Sequence, residues 1–137
     1  MLRVASLSAT ALPIHAPAAI MLAVSEAAVQ RGGKAMVLYG RGHHLPMPGI
    51  EAHRINSPLG VSTHAALSRL FDREGLLSKR AASIAATHLH RFRPDVVHLH
   101  IIHGHYIHYP HLLDELHRLG VPVGITCHDL WWLTGRC

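Results

Sequence analysis

The sequence lacks the features that mark several common classes of protein. No run of about 18 apolar residues occurs, so no segment is predicted to cross a membrane as a helix. Aromatic residues make up 5% of the chain, too few for a stacking platform that binds single-stranded nucleic acid. No arginine-rich run predicts an arm that binds nucleic acid. We therefore expect no nucleic-acid partner.

Cysteine is also scarce, and its two positions support no particular chemistry. Cys127 and Cys137 form no C-x-x-C pair, which favours free thiols in a reducing compartment over a disulfide between them. The first residues have the composition of a secretory signal, but Pro13, His15 and Pro17 interrupt the apolar stretch. We therefore expect a cytoplasmic protein that begins with a strand, a loop and a helix, with a signal peptide as the alternative.

Acidic residues are few, which leaves a basic surplus. Thirteen Lys and Arg against eight Asp and Glu give a formal charge of +5, and fifteen histidines add positive charge below about pH 6.5. This surplus favours an anionic neighbour such as a nucleotide phosphate, a lipid diphosphate or an anionic membrane face. Two predicted helices are flanked by the basic residues Arg69, Arg73, Lys79, Arg80, Arg91 and Arg93. They suit peripheral contact with the inner face of the plasma membrane, although an ordinary solvated surface explains them equally well.

The hydrophobic pattern alternates short apolar runs with segments of helical periodicity. Strands are predicted at residues 2–7, 34–39, 52–55, 96–100 and 121–126. Helices are predicted at residues 18–30, 62–71, 79–92 and 107–119, with loops at 8–16 and 40–48. Strands separated by helices predict a parallel sheet with right-handed crossovers. The fold class is therefore α/β, one Rossmann-like domain with helices on both faces of the sheet.

Apolar side chains indicate how the predicted helices face the sheet. The first helix carries an apolar side formed by Ile20, Val24, Ala27 and Ala28. The second clusters Leu67, Leu70 and Phe71, and the third has a stripe of Ile84, Ala85 and Leu89. Ser78 stands immediately before the third helix, where a serine side chain commonly caps the first turn. These positions predict the packing of the helices on the sheet.

Ligands of open parallel sheets bind at the carboxyl ends of the strands, so three strand ends are candidate sites. The first strand is followed by Ser8 and Thr10, whose hydroxyls are placed to contact a phosphate near a helix amino terminus. The segment lacks G-x-G-x-x-G and a P-loop lysine, which disfavours dinucleotide and P-loop chemistry. Ordinary turn residues are an equally good interpretation of both hydroxyls.

The second strand end is rich in histidine. His98 and His100 point to one face of the strand, and His103 and Gly104 follow. Their spacing matches no zinc-ligand signature, so we expect no bound metal. We interpret this segment as the polar wall of a cleft that binds substrate. The alternative is a set of histidines bonded to backbone groups at a crowded turn.

The third strand end joins a histidine to a carboxylate. A neutral His128 can bond to a sugar hydroxyl or a phosphate oxygen, and Asp129 can accept from hydroxyls. No nucleophile elbow accompanies them, which disfavours a hydrolase triad, and Cys127 is expected to point away from His128. Trp131 is a candidate for stacking on a sugar ring, while core packing is the more frequent fate of tryptophan.

Several stretches together resemble bacterial family 4 glycosyltransferases of exopolysaccharide synthesis, especially the colanic-acid type. The specific ones are residues 98–104 (HLHIIHG) and 126–137 (TCHDLWWLTGRC), and residues 39–42, 67–72 and 78–79 agree with the same pattern. The resemblance implies a GT-B fold in which an amino-terminal domain holds the acceptor and a carboxyl-terminal domain holds the nucleotide sugar. It also implies transfer with retained anomeric configuration, without a bound metal or other cofactor.

The resemblance further implies roles for individual residues. His128 matches the histidine expected near the donor sugar and Asp129 follows it, so both are candidate catalytic residues. His98, His100 and His103 match the cluster that lines the acceptor side. The turn after the first strand departs from the family pattern, because residues 8–13 lack the usual glycines.

The resemblance also predicts the extent of the domain. Residues 1–137 correspond to a truncated acceptor-side domain without the donor-binding domain. Such a chain is expected to be inactive alone and to bind a nucleotide sugar only together with a donor domain. Its acceptor is expected to be a saccharide or a lipid-linked sugar. Two alternatives remain, a non-catalytic module that binds carbohydrate or a partner, and a histidine-rich metal-binding domain.

Overall fold

The computed structural model describes residues 1–135 and has an α/β architecture. In this part of the chain one five-stranded sheet has the order β3-β2-β1-β4-β5, and every neighbouring pair is parallel. The strands are β1 Arg3–Ala11, β2 Lys34–His44, β3 Ile50–Arg54, β4 Val96–Leu99 and β5 Val123–Ile125. The helices are α1 Ala16–Gln30, α2 Pro58–Phe71, α3 Lys79–Phe92, α4 Tyr109–Leu119 and α5 Trp131–Thr134. The predicted α/β fold class is confirmed.

The two central strands are longer than predicted. β1 and β2 stay paired through Ser8 with Tyr39 and Thr10 with Arg41, so residues 8–11 and 40–44 are strand, and the two predicted loops are wrong there. Turn-forming residues join the strands here because each strand supplies the other's hydrogen-bonding partners, although Gly42 has a φ of +74° and the register shifts after Thr10. We call the edge at which the parallel strands end the carboxyl edge of the sheet. Because β1 and β2 are longer than predicted, this edge lies at later residues of both strands.

Both faces of the sheet are covered, as the near-continuous apolar strands predict. On one face Val37 and Tyr39 pack against Met21 and Leu22 of α1. On the other face Leu38 belongs to a larger core with residues of α3 and α4 such as Leu89 and Leu112. The alternation of side chains along β2 therefore divides the core between the two layers of helices.

Helix α1 is rotated relative to the predicted packing. Met21 and Leu22 are buried, whereas Ile20 and Val24 are 45% and 37% exposed, so the predicted core face is wrong at the latter two positions. The helix is apolar around much of its circumference, so periodicity alone poorly defines its inner face. The side chains that fit the groove over β1 and β2 decide the orientation.

Helix α2 buries polar residues and exposes apolar ones. His64 and Ser68 are buried, while Leu67, Leu70 and Phe71 are 37%, 73% and 61% exposed. The apolar cluster seen in the sequence therefore forms a surface rather than part of the core. Within residues 1–135, no helix is long and apolar enough to cross a membrane.

Helix α3 has the predicted bounds and the predicted buried positions Ala85 and Leu89, but it begins differently. Ser78 adopts a left-handed conformation (φ 61°), and its side chain makes no capping hydrogen bond. Its hydroxyl instead lies 2.9 Å from Nδ1 of His64, so the predicted cap is wrong because a tertiary hydrogen bond replaces it. Helix α4 begins at Tyr109, with Pro110 in its first turn, where a proline is tolerated.

Candidate functional site

Two of the three candidate segments meet at the carboxyl edge of the sheet. β4 and β5 are neighbours, and His98 pairs with Gly124 in their register. The residues that follow β4 therefore face those that follow β5, although 28 positions separate the bonded residues in sequence. We call His98, His100, His103, His128 and Asp129 the strand-end cluster. This arrangement joins the histidine-rich segment to the His–Asp segment through the pairing of β4 with β5.

Three histidines form the inner part of the strand-end cluster. The rings of His98 and His100 lie on the same face, with centroids 4.1 Å apart, as predicted from strand geometry. Nε2 of His98 lies 2.7 Å from Oγ1 of Thr126, and Nδ1 of His100 lies 2.9 Å from Nε2 of His128. Each strand-end histidine of β4 thus bonds to a residue beyond β5, which holds the two segments together.

His100 is fully buried, which disfavours its predicted direct contact with substrate. Burial, followed by the neighbouring His98 and His128, lowers the pKa of His100 to about 3. Burial and His128 also lower the pKa of His98. Both rings are therefore neutral at physiological pH. His100 positions His128 instead of contacting a ligand itself.

The position of the proton on His100 follows from its second nitrogen. Nε2 of His100 is buried and has no hydrogen-bond partner within residues 1–135. A buried N–H without a partner is rarer than an unused lone pair, so we assign the proton to Nδ1. His100 then donates to Nε2 of His128. A neutral His128, which is half-buried, carries its own proton on Nδ1 and can donate it to an oxygen.

His103 and Asp129 form the outer part of the strand-end cluster. Nε2 of His103 lies 2.9 Å from Oδ2 of Asp129, and its Nδ1 lies 3.8 Å from Oε1 of Glu74. The other carboxylate oxygen of Asp129 accepts from the backbone N–H of Trp131 at 2.9 Å. Asp129 therefore orients His103 and the start of α5. The sequence analysis missed Glu74 because it searched only the ends of strands, and Glu74 lies between helices α2 and α3.

Trp131 belongs to the core, which is the alternative that the sequence left open for it. Its side chain is 6% exposed, and its ring stacks on His103 with centroids 5.1 Å apart. Tyr109 and Trp132 pack against it edge-on. With these neighbours its ring supports His103 and presents no open face to a sugar. This packing does not support the predicted stacking of Trp131 on a substrate.

Both hydroxyls of the first candidate segment belong to β1 rather than to a loop after it. Ser8 is 1% exposed inside β1, which disfavours its predicted contact with a phosphate. Thr10 is half-buried near the end of β1, where it pairs with Arg41 of β2, and its phosphate contact stays a prediction. Cys127 is free and exposed in the loop after β5, whereas Arg136 and Cys137 lie outside the described residues.

Arg41 approaches the segment after β4, and the sequence analysis missed it as a candidate. It stands near the carboxyl end of β2, a strand end not considered as a candidate, and its Nε is buried without a partner within residues 1–135. A side chain at Gly104 would place Cβ 3.4 Å from Nη2 of Arg41, and Gly104 has a φ of +95°. Glycine therefore lets the backbone after β4 approach the guanidinium closely. The longer β2 brings this positive charge to the site.

The histidine-rich composition does not produce a metal centre in the described residues. Among residues 1–135, no three His, Cys, Asp or Glu side chains converge on a position that would hold a metal ion. The histidines bond instead to one another, to Thr126 and to Asp129. The metal-binding alternative therefore gains no support from this geometry.

Comparison with known proteins adds no assignment of its own. No family model matches this sequence, and no curated protein matches it. What the chain can do is therefore inferred from the side chains at the carboxyl edge. These offer imidazoles, the carboxylates of Asp129 and Glu74, and the guanidinium of Arg41, a set suited to polar, hydroxyl-rich or anionic ligands.

Proposed function

We propose that residues 1–137 form the acceptor-side domain of a retaining GT-B glycosyltransferase of exopolysaccharide synthesis. The observation that supports this most strongly is the strand-end cluster, which gathers His98, His100, His103, His128 and Asp129 at one edge of a parallel sheet. Ligands of such sheets bind at this edge. The sequence resemblance supplies the reaction class, and the geometry supplies a polar site compatible with it.

In this proposal His128 is the residue that contacts substrate. Its Nδ1–H donates to an oxygen of the transferred sugar or of the acceptor, and buried His100 sets the tautomer that makes this donation available. Asp129 is a positioning residue, because its two oxygens hold His103 and α5. His98, His103 and Gly104 line the acceptor side. Stabilising the charge of the departing nucleotide falls to a donor-binding domain.

Nucleotide release from sugar nucleotides tests this proposal. We expect no release by the 137-residue chain alone, and release when the chain is joined to a donor-binding domain of the same family. In the joined enzyme, His128→Gln should lower turnover about 100-fold, because the loss of one positioned hydrogen-bond donor costs a factor of this order. His43→Gln, at an exposed position of β2, should leave turnover unchanged and serves as the control.

Two results would contradict the proposal. Turnover by the isolated chain would show that the donor site lies within residues 1–137. Full activity of His128→Gln in the joined enzyme would remove His128 from the site. Saccharide binding without nucleotide release under any condition would favour the alternative, a non-catalytic carbohydrate-binding module.

We also propose peripheral contact with an anionic membrane on the cytoplasmic side. The observation that favours it is an exposed apolar surface at the end of α2, where Leu70 and Phe71 are 73% and 61% exposed, with Arg69 before them and Asp72 and Arg73 after them. Apolar side chains beside arginines suit the interface of an anionic bilayer. Co-sedimentation with anionic vesicles should be lost at high salt and in Phe71→Ser. Equal sedimentation with neutral vesicles would contradict this proposal.

A further inference from the structure

A cleft of about 740 Å³ lies between α2 and α3, at the carboxyl end of β3. Its volume falls in the usual range for small-molecule sites, about 300–1,000 Å³. None of its lining residues belongs to the strand-end cluster. The cleft is nevertheless close to the segment after β4 that carries His103, because the side chain of Asn56, which lines the cleft, donates to the carbonyl of Tyr106 at 2.8 Å.

The polar wall of this cleft is positively charged. Arg54, the last residue of β3, and Arg80, in the first turn of α3, both line it. No Asp or Glu lines the cleft, and neither guanidinium forms an ion pair within residues 1–135. Two exposed arginines without a carboxylate favour an anionic ligand, and planar guanidinium groups suit phosphate oxygens in particular.

The floor of the cleft is rigid and already hydrogen-bonded. Ser57 caps α2 by accepting from the backbone N–H of Gly60 at 3.0 Å, so the positive end of this 14-residue helix faces the same region. His64 is 1% exposed, its Nδ1 lies 2.9 Å from the Ser78 hydroxyl, and its Nε2 is buried without a partner in the described chain. Little reorganisation is therefore needed to receive a ligand.

The cleft also has an aliphatic wall. Leu59, Leu67, Leu77 and Ile84 line it, and Leu59 and Leu67 are 77% and 37% exposed. Exposed leucines grouped around a concave surface lose contact with water when an apolar group covers them. A purely ionic ligand such as inorganic phosphate would leave this wall uncovered.

From these two walls we propose that the α2–α3 cleft binds an amphiphilic anion, namely a phosphate ester on an aliphatic chain. The phosphate lies between Arg54 and Arg80 near the start of α2, and the chain covers Leu59 and Leu67. The cleft proposal stands on this chemistry alone and requires no glycosyl transfer. Binding is measured without a sugar donor, so either proposal can fail while the other stands.

Calorimetric titration with monomeric octyl phosphate tests the cleft proposal on the full 137-residue chain. We expect single-site binding about tenfold tighter than that of inorganic phosphate or octanol, because only the ester uses both walls. The double variant Arg54→Gln/Arg80→Gln should lose about tenfold in affinity for octyl phosphate. Thr63→Trp, which fills the cleft from an exposed position of α2, should abolish binding.

A matched control removes the same charge elsewhere. Arg31→Gln/Arg118→Gln, at two exposed arginines outside the cleft, should bind octyl phosphate as the wild type does. Circular dichroism and thermal unfolding of every variant confirm that loss of binding is not loss of folding. Equal affinity for octyl phosphate and inorganic phosphate would contradict binding of the aliphatic chain in the cleft. Equal weakening of octyl phosphate binding by both double variants would contradict a phosphate site at Arg54 and Arg80.

Vesicles distinguish a free phosphate ester from a lipid headgroup in a bilayer. Monomeric octyl phosphate bound by the cleft should compete with phosphatidic acid vesicles if the headgroup enters the same site. Binding to both probes, each weakened by Arg54→Gln/Arg80→Gln, supports the proposal with a membrane lipid as the source. Octyl phosphate binding without vesicle binding supports a soluble ester. Vesicle binding without octyl phosphate binding would overturn the proposal in favour of a flat membrane-contact surface.

Discussion

Buried histidines make the stability of this protein sensitive to acid at the level of single residues. Burial lowers the pKa of His100 to about 3 and that of His64 to about 4, from 6.5. The unfolded chain therefore binds protons at these sites below pH 6.5, while the folded chain does not. Their contribution to stability is complete above pH 6.5 and is lost as the pH falls towards the folded-state values.

We expect a loss of about 2 kcal/mol in unfolding free energy per buried histidine between neutral pH and about pH 5. His100→Gln removes one of these sites, so it should be less stable than wild type at neutral pH, and that difference should shrink by about 2 kcal/mol at about pH 5. Urea denaturation at both pH values measures the change. His43→Gln, at an exposed site, should leave the wild-type pH dependence intact, and a parallel pH dependence for His100→Gln would contradict the pKa assignment.

Gly40 is a residue for which no side chain can be accommodated. A Cβ at this position would overlap the ring of Tyr106, which is fully buried and cannot move aside. We expect Gly40→Ala to lower the unfolding free energy by about 3 kcal/mol. Gly124→Ala is the matched control in another strand, because its Cβ would lie 3.8 Å from the nearest atom, in the His98 ring. Similar denaturation midpoints for the two variants would contradict the packing.

At the scale of an element, the start of α2 depends on one hydroxyl. The Ser57 side chain accepts from the backbone N–H of Gly60, the only side-chain cap of this helix within the described residues. Ser57→Ala should therefore lower the unfolding free energy by about 1 kcal/mol, and Ser57→Asp should restore it. Ser62→Ala, one turn later and exposed, should cost less in the same denaturation experiment. Equal losses at both serines would show that the cap contributes nothing.

Helix α2 also shows where an apolar pattern misleads. Its sequence clusters Leu67, Leu70 and Phe71, yet its buried side chains are His64 and Ser68. Periodicity identifies a helix and its two faces, but the inner face is whichever one finds complementary partners. For α2 the partner is the Ser78 hydroxyl at the start of α3, which bonds to His64.

At the scale of the whole molecule, the sheet has one apolar edge. All three residues of β5 are exposed, with Val123 at 40% and Ile125 at 46%, and within residues 1–135 only β4 pairs with this strand. Exposed apolar edge strands promote pairing between chains. We expect the mass measured by sedimentation equilibrium to rise with concentration for the 137-residue chain, and Ile125→Lys to suppress that rise.

An exposed leucine outside the sheet provides the control for this association. Leu113 of α4 is 36% exposed, so Leu113→Lys adds the same charge without touching β5. It should leave the concentration dependence unchanged. A wild-type mass that does not vary with concentration, or equal effects of the two lysines, would contradict association through the β5 edge.

The amino-acid sequence by itself determined the α/β class, the order of the elements and the chain positions of the strand-end histidines. These follow from local patterns, namely apolar runs of strand length, helical periodicity and Gly or Pro at the boundaries. The bounds of α3 were predicted to the residue, and the shared face of His98 and His100 followed from strand geometry.

Tertiary structure alone decided which of those residues act together and which are hidden. His100 bonds to His128 across 28 positions, because the sheet order places β5 beside β4, and that order is a property of the assembled sheet. The same assembly buried Ser8 and His100, and lengthened β2 so that Arg41 reached the site. Non-local strand pairing and side-chain burial have no counterpart in a local sequence pattern, which is why the histidines and Asp129 of the site were predictable, whereas Arg41, Glu74 and the geometry of the site were not.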